Sequence, residues 1–333
     1  MSHARRAVTY DIEKKTTDRV ELEDVHKSSK EHSQDMAKVI AVEEIDTNLY
    51  MSKELWVPLG SRGAFGGQVI AQALNSAWCT VGDQFRIYSL HSYFILPCNA
   101  DIPVIYKVQR LRDGKSFATR LVTAVQRGKP YFIASFSFAT PEQVVGLVHQ
   151  AQMPDVAEPE DVPLETERAK EWLSTDDLPT EFCQYLENRI KNVNTHITEE
   201  IIKGTVEPSE YRWFKSYNKL DSDDAKLHAC SIAYASDSGI ILTAAKANGY
   251  IYDTMGMVVS LDHSICINRL LYDIHSPRTS EGRGIAFGRI YSREGTLVAT
   301  TAQEGLVRLS EKGQIIEKQK RDHENSPADA SKL

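Results

Sequence analysis

The second half of the chain repeats the order of elements found in the first, and that duplication limits the possible architectures more than any other feature. In the first half, QVIAQALNSAW (68–78) places Val69, Ile70, Ala73, Leu74 and Ala77 at helical spacing. Four runs rich in β-branched and aromatic residues follow: YSLHSYFIL, IPVIYKVQRLRDG, FATRLVTAVQRGK and PYFIASFSFA. Arg-Asp-Gly and Arg-Gly-Lys turns punctuate them, so they read as antiparallel strands. The second half offers the strand EYRWFKSYNKL, the helical region LHACSIAYASDSGIILTAAKA, and then MVVSLDHSICI, YDIHSPRTSEGRG, IAFGRIYSREG and TLVATTAQEGLVRL. Two anchors align by eye: His91-Ser92 with His263-Ser264, and QRGKPYFIAS with SREGTLVATT.

A long helix followed by a curled antiparallel sheet, occurring twice, describes an α+β chain of two tandem hotdog folds, a double hotdog. The small residues of QVIAQALNSAW allow close approach to a sheet, which predicts a buried helix. Edge strands of the two halves can pair with each other and remove two exposed edges. The expected organisation is a flexible, charge-rich arm over 1–36, an N-terminal repeat over 37–140 whose first strand and exit lie in VIAVEEIDTNLYM, an acidic proline-bearing connector over 141–205, a C-terminal repeat over 206–312, and a flexible polar tail over 313–333.

Composition excludes several classes. A net charge of −7 provides no broad cationic field for nucleic acid. Mean hydropathy is −0.37 and no apolar run nears the ~18–20 residues of a membrane span, so none is expected. Cys79, Cys98, Cys183, Cys230 and Cys266 are odd in number, lack C-x-x-C spacing, and follow a start without the apolar core of a signal peptide, which predicts reduced thiols and no zinc knuckle. The glycines of EGRGIAFG (281–288) lie between strand-like runs without a following helix, so they form no dinucleotide loop. No G-x-S-x-G elbow occurs, so a serine hydrolase is unsupported.

One residue stands out by place. Asp237 interrupts the apolar run CSIAYASDSGIILTAA where a helix is expected to begin, and its spacing alone suits an N-cap. The aligned position in the first half lies near Phe65, so a helix start of this kind requires no aspartate.

The segments RGAFGGQVIAQAL (62–74), HSYFILPCNADIPVIYKVQRLRDGKSFATR (91–120), LHACSIAYASDSG (227–239), SLDHSICI (260–267) and TAQEGLVR (301–308) resemble the acyl-CoA thioesterase II family of double-hotdog hydrolases, in its peroxisomal branch, over residues 38–310. The resemblance implies that an aspartate, a hydroxyl residue and a glutamine hold the attacking water. By motif these are Asp237 in YASDSG, Ser260 in VVSLDHS and Gln303 in TAQEG; the family often has threonine where this chain has Ser260. A carboxylate can accept a proton from that water while the hydroxyl and amide orient it.

Oxyanion donors are sought among the backbone N–H groups of Ser238 and Gly239 and of the matching Gly66 and Gly67. Arg62, Lys115 and Arg120 are weak candidates for the CoA phosphates. His263 is expected to be structural, with Asp262 on the opposite face of its strand, and His91 to be a core histidine. The resemblance implies acyl-CoA as substrate, no metal or redox cofactor, and a homodimer or higher assembly. The terminal Ser331-Lys332-Leu333 matches the tripeptide read by the peroxisomal import receptor, which predicts the peroxisome matrix and a role in fatty-acid oxidation through CoA supply. The alternatives are a hotdog enoyl-CoA hydratase, disfavoured by the lack of an Asn-Pro dipeptide, and a noncatalytic acyl-CoA binding protein.

Overall fold

A computed structural model describes residues 35–58, 61, 63–141, 149–163, isolated positions between 167 and 187, 197–203, 209–216, 220–221, 223–248, 255–266 and 271–324. The expected arm lies outside these residues except for Asp35 and Met36. Those two open a short helix, α1 (Met36–Val39), in which the Asp35 side chain accepts from Ala37 N and Met36 is buried. The VIAVEEIDTNLYM segment thus becomes the end of that helix and a hairpin, β1 (Val42–Asp46) with β2 (Leu49–Ser52).

Helix α2 (Gly66–Trp78) is buried from Gly67 to Trp78, as its small residues predict. Its polar side chains Gln68, Gln72 and Asn75 recur at i, i+4 and i+7 and so share one face. Buried amides need partners. Gln68 and Gln72 donate to Val39 O at 3.0 and 2.9 Å, and Asn75 donates to Ile40 O at 2.9 Å. This stripe sews α2 to the helical turn of α1 and its exit.

Strands β3 (Arg86–Phe94), β4 (Ile105–Asp113), β5 (Phe117–Gln126) and β6 (Lys129–Ala139) follow. The second half contributes β7 (Ile197–Lys203), β8 (Ser209–Ser216), helix α3 (Ala225–Ser236), helix α4 (Ile240–Lys246), β9 (Met255–Ser260), β10 (Asp262–Cys266), β11 (Leu271–Ser280), β12 (Arg283–Tyr291) and β13 (Leu297–Leu309). The sheet is continuous and antiparallel, ordered β1-β2-β4-β5-β6-β3-β10-β13-β12-β11-β8-β7, with β9 also on β13. The two halves join where β3 pairs with β10, the edge-to-edge union expected of two hotdog sheets. Helix α2 packs against β4, β5, β6 and α3, while α4 packs against β11, β12 and β13.

Several boundaries differ from expectation. Strand β7 falls within the supposed connector, so the second half begins before 206. Residues 150–163 are fastened to that half: Gln150 donates to Gly295 O at 2.8 Å and Trp213 Nε1 to Ala157 O at 3.0 Å. Across the expected start of the tail, Glu311–Glu324 form helix α5. Periodicity alone did not reveal it, since its apolar positions are few.

The eye alignment of the two His-Ser pairs is displaced by one residue. His91 pairs with Ser264 and Ser92 with His263, and residues directly opposite share a face. His91 is exposed, which corrects the core reading, whereas His263 is fully buried. A one-residue slip exchanges the faces of a strand, and only the register reveals it.

Candidate active site

Asp237 does not begin a helix. Asp224 does so instead, its side chain accepting from Leu227 N at 2.8 Å to cap α3. Asp237 follows the last residue of α3, and Ser238 and Gly239 complete a break before α4. Gly239 sits at φ 69°, the left-handed conformation that ends helices and that glycine adopts without a Cβ penalty. The Asp-Ser-Gly triplet was the available signal for this break.

The run MVVSLDHSIC is two strands, not one. Both β9 and β10 pair with the long β13, separated at Leu261, whose N–H donates to Glu304 O and whose carbonyl accepts from Phe94 N. Ser260 lies opposite Gly305, and Gln303, two residues along β13, occupies the diagonal position on the same face. Gln303 Nε2 accordingly lies 3.0 Å from Ser260 Oγ and 2.6 Å from Asp237 Oδ1, while Ser260 Oγ reaches Asp237 Oδ1 at 3.4 Å. Three residues separated by up to 66 positions meet at one carboxylate oxygen.

The first half contributes the remaining contact. The N-terminus of α2 abuts the end of α3, and the Gly67 N–H donates to the Asp237 carboxylate. A Cβ on Gly66 would lie 2.6 Å from Asp237 Oδ2 and 2.9 Å from the Phe94 ring, and one on Gly67 would collide with Tyr234 O. Glycine at both positions permits this approach. Phe65, which precedes the helix, stacks edge-on against Tyr234 at 4.8 Å.

Burial raises the Asp237 pKa to about 6, against the lowering effects of Gln303, the Gly67 N–H and Ser260. Two helix ends act in opposition on it: the C-terminal carbonyls of α3 disfavour the charge and the N-terminus of α2 favours it. The result is a carboxyl that ionises just below neutrality, the range suited to a general base. Among the described residues, Gln303 Oε1 is buried with no protein partner. That oxygen can accept from a small donor, such as water, held beside Asp237.

His263 plays a different part. Burial lowers its pKa to about 3, so it is neutral, and Nε2 meets Ser236 Oγ at 2.9 Å. Asp262 faces away and accepts from Glu304 N at 2.7 Å. The thiol of Cys98 is pushed up to about 11 by burial, which leaves it inert as a nucleophile.

The other candidates separate. Ser238 N–H is committed to Ala235 O at 2.9 Å and Gly67 N–H to Asp237, so neither is an idle oxyanion donor; Gly66 and Gly239 remain as candidates. Arg120 is corrected: it is 1% exposed, pairs with Asp113, and donates to Thr80 Oγ1 and O at 2.7 and 3.0 Å and to Arg112 O at 2.8 Å. It closes the C-terminal end of α2, the length of a 13-residue helix, ~20 Å, from Gly66. Lys115 is exposed in the adjoining β4–β5 turn. Arg62 and the tripeptide Ser331, Lys332 and Leu333 lie outside the described residues. The sequence reading missed Gly67 as a carboxylate donor, for which the Gly-Gly opening of the helix was the only local sign.

Two family models match the chain: "Acyl-CoA thioesterase N-terminal domain" over residues 53–139 and "Acyl-CoA thioesterase" over 180–306. Acyl-coenzyme A thioesterase 8 of Mus musculus is 34% identical over 289 residues, covering 82% of this chain and 89% of its own length. Peroxisomal acyl-coenzyme A thioester hydrolase 1 of Saccharomyces cerevisiae is 24% identical, covering 84% and 96%. The crystal structure of an acyl-CoA thioesterase II from Mycobacterium marinum superposes with a TM-score of 0.64 at 29% identity, covering 83% of this chain and 98% of that one. Among the described residues, no helix is long and apolar enough to cross a membrane.

Proposed function

Because the chain belongs to the acyl-CoA thioesterase II family and is a thioester hydrolase, we propose that Asp237 is the general base that activates water against an acyl-CoA thioester, with Ser260 and Gln303 orienting that water. The convergence of three side chains from α3, β9 and β13 within 2.6–3.4 Å carries this reading. Asp237 is ionised above a pKa of about 6 and accepts a proton as the water oxygen bonds to the carbonyl carbon. The tetrahedral intermediate then expels the CoA sulfur, and the proton held by Asp237 passes to it. The products are a fatty acid and CoA, with no external oxidant or reductant.

The carbonyl oxygen gains negative charge in this step and requires donors already in place. Gly66 N–H, at the positive end of α2, and Gly239 N–H are the backbone groups suited to it. Replacing Asp237 by Asn tests the assignment, because Asn is close in shape and cannot serve as the base. Hydrolysis of a long-chain acyl-CoA, followed by thiol release, should fall by roughly 10²–10⁴ in a folded variant. Turnover at the wild-type rate would exclude this base.

The cellular setting we propose is the peroxisome matrix, where such hydrolysis returns CoA for fatty-acid oxidation. The yeast relative, by its name a peroxisomal thioester hydrolase, supports it, as does the Ser331-Lys332-Leu333 sequence, which an import receptor can read. A homodimer or larger assembly is part of the same proposal. Deleting those three residues from a chain tagged at its N-terminus should move it from peroxisomes to cytosol; an unchanged punctate distribution would refute the signal.

A further inference from the structure

Asp237 lies in the three-residue break between α3 and α4, yet a general base must hold its carboxylate still against a water and a carbonyl. A misplacement of about 1 Å can cost on the order of 10² in rate. The backbone on both sides of Asp237 is held by buried side chains. Tyr272, 0% exposed on β11, donates its OH to Ser236 O at 2.9 Å. Arg212, 3% exposed on β8, donates Nη1 to Ser238 O at 3.3 Å. Ser236 and Ser238 are the immediate neighbours of Asp237.

These two side chains are directly opposite each other in the β8–β11 ladder, so one cross-strand pair reaches both carbonyls. Each is braced in turn. Tyr272 OH also meets Thr301 Oγ1 at 2.8 Å, on the strand that carries Gln303. Arg212 Nη2 pairs with Glu210 Oε2 at 3.0 Å, and Glu210 receives Lys246 Nζ at 2.7 Å and Thr243 Oγ1 at 3.3 Å from α4. The Arg212 guanidinium fills the space where Gly239 would carry a Cβ, so it packs onto the break as well as bonding to it. Both residues act on the backbone that presents the carboxylate.

We propose that Tyr272 and Arg212 are positioning residues for the thioester hydrolysis, a pair that clamps the carbonyls before and after Asp237 and so sets the carboxylate against Gln303, Ser260 and the Gly67 N–H. The proposal rests on Asp237 being the base. A role in stability alone would lower the melting temperature and leave the chemistry of the surviving folded enzyme unaltered. A clamp predicts altered chemistry in a folded enzyme.

The test is the pH profile of acyl-CoA hydrolysis by Tyr272→Phe, which keeps the ring and removes the hydroxyl, and by Arg212→Lys, which keeps a cation beside Glu210 and loses the forked reach. Circular dichroism and thermal melts establish which variants are folded, and the second substitution keeps the test open if the first does not fold. The expected result is a kcat about 10- to 100-fold lower with KM within about 2-fold of wild type. The acid limb of kcat/KM should also move to higher pH, because a carboxylate displaced from Gln303 and Gly67 loses the donors that favour its charge. A folded variant whose acid limb stays at the wild-type position overturns the clamp, whatever its kcat. If Asp237→Asn is inactive while the clamp variants behave as wild type, only the clamp fails; if Asp237→Asn is active, the base assignment fails first.

Discussion

Gln303 Nε2 lies 2.6 Å from Asp237 Oδ1, joining the last strand of the second half to the end of its helix. A charge-assisted bond of this length opposes the burial that raises the Asp237 pKa. The same amide reaches Ser260, so one side chain holds both partners in register. Its nearness to the carboxylate makes the pH response of the enzyme the most direct readout of the site.

The acid limb of kcat/KM for an acyl-CoA substrate should fall near pH 6, with activity rising as Asp237 loses its proton. The raised pKa also means that the folded protein holds this carboxylate at a cost above pH 6. Asp237→Asn should therefore melt at a higher temperature than wild type at pH 8, with the gain shrinking toward pH 4, where wild-type Asp237 is protonated. A limb near pH 4, measured with saturating thiol reagent, would contradict the burial argument.

Gln303→Glu replaces a donor by a second acid beside Asp237. Like charges resist joint ionisation, so the limb should move upward by more than one pH unit and kcat/KM at pH 6 should fall at least about 10-fold. Gln303→Ala should lower kcat with a smaller movement. Parallel pH-rate profiles distinguish the two.

Gly66→Ala places a methyl 2.6 Å from Asp237 Oδ2 and 2.9 Å from the Phe94 ring. Overpacking of this kind costs about 1–3 kcal/mol, visible in urea denaturation, and it drives the N-terminus of α2 away from the carboxylate. Activity should fall about 10-fold or more in the folded fraction. An active, equally stable Gly66→Ala enzyme would show that the two helix ends do not need this approach.

His263→Gln should leave the acid limb where it is, because the buried imidazole is neutral across the working range, its pKa lowered to about 3. The loss should appear in melting temperature, since Nε2 bonds Ser236 Oγ. A limb that moved would assign the titration to His263 instead.

Glu210 governs acid stability. Burial works to raise its pKa, but Arg212 and Lys246 overcome it and hold the pKa at about 2, against 4.5 for an ordinary glutamate. A depressed carboxylate stabilises the fold fully above the unfolded value and loses that contribution as pH falls toward 2, in total about 3 kcal/mol. Glu210→Gln should melt lower than wild type at pH 7, and the gap should close between about pH 4.5 and 2. A constant gap across that window would show that the charge is not what matters.

The repeated pattern of helix and strands was legible because core-facing periodicities are local, and the turn residues of Arg127-Gly128 and Ser292–Gly295 mark hairpins present in the sheet. The three motif residues were reached through family resemblance rather than from spacing: Asp237 alone reads as a helix cap, and a serine or glutamine in a strand carries no chemical sign. Arg120 misled for the opposite reason. A cation in a motif-bearing segment suggests phosphate, while only burial among Thr80, Arg112 and Asp113 discloses a helix-end brace.

By itself, then, the sequence determined that this chain would form two sheet-wrapped halves with buried helices and would belong among acyl-CoA thioesterases, since hydrophobic period and motif are written residue by residue. Tertiary structure alone decided which aspartate caps and which one is left at a helix end, which histidine is buried, and how Gly67, Gln303, Ser260, Tyr272 and Arg212 gather around a single break. Those outcomes depend on strand register and on the close approach of two helix ends, relations between segments up to 236 residues apart, from Gly67 to Gln303, that no local window contains.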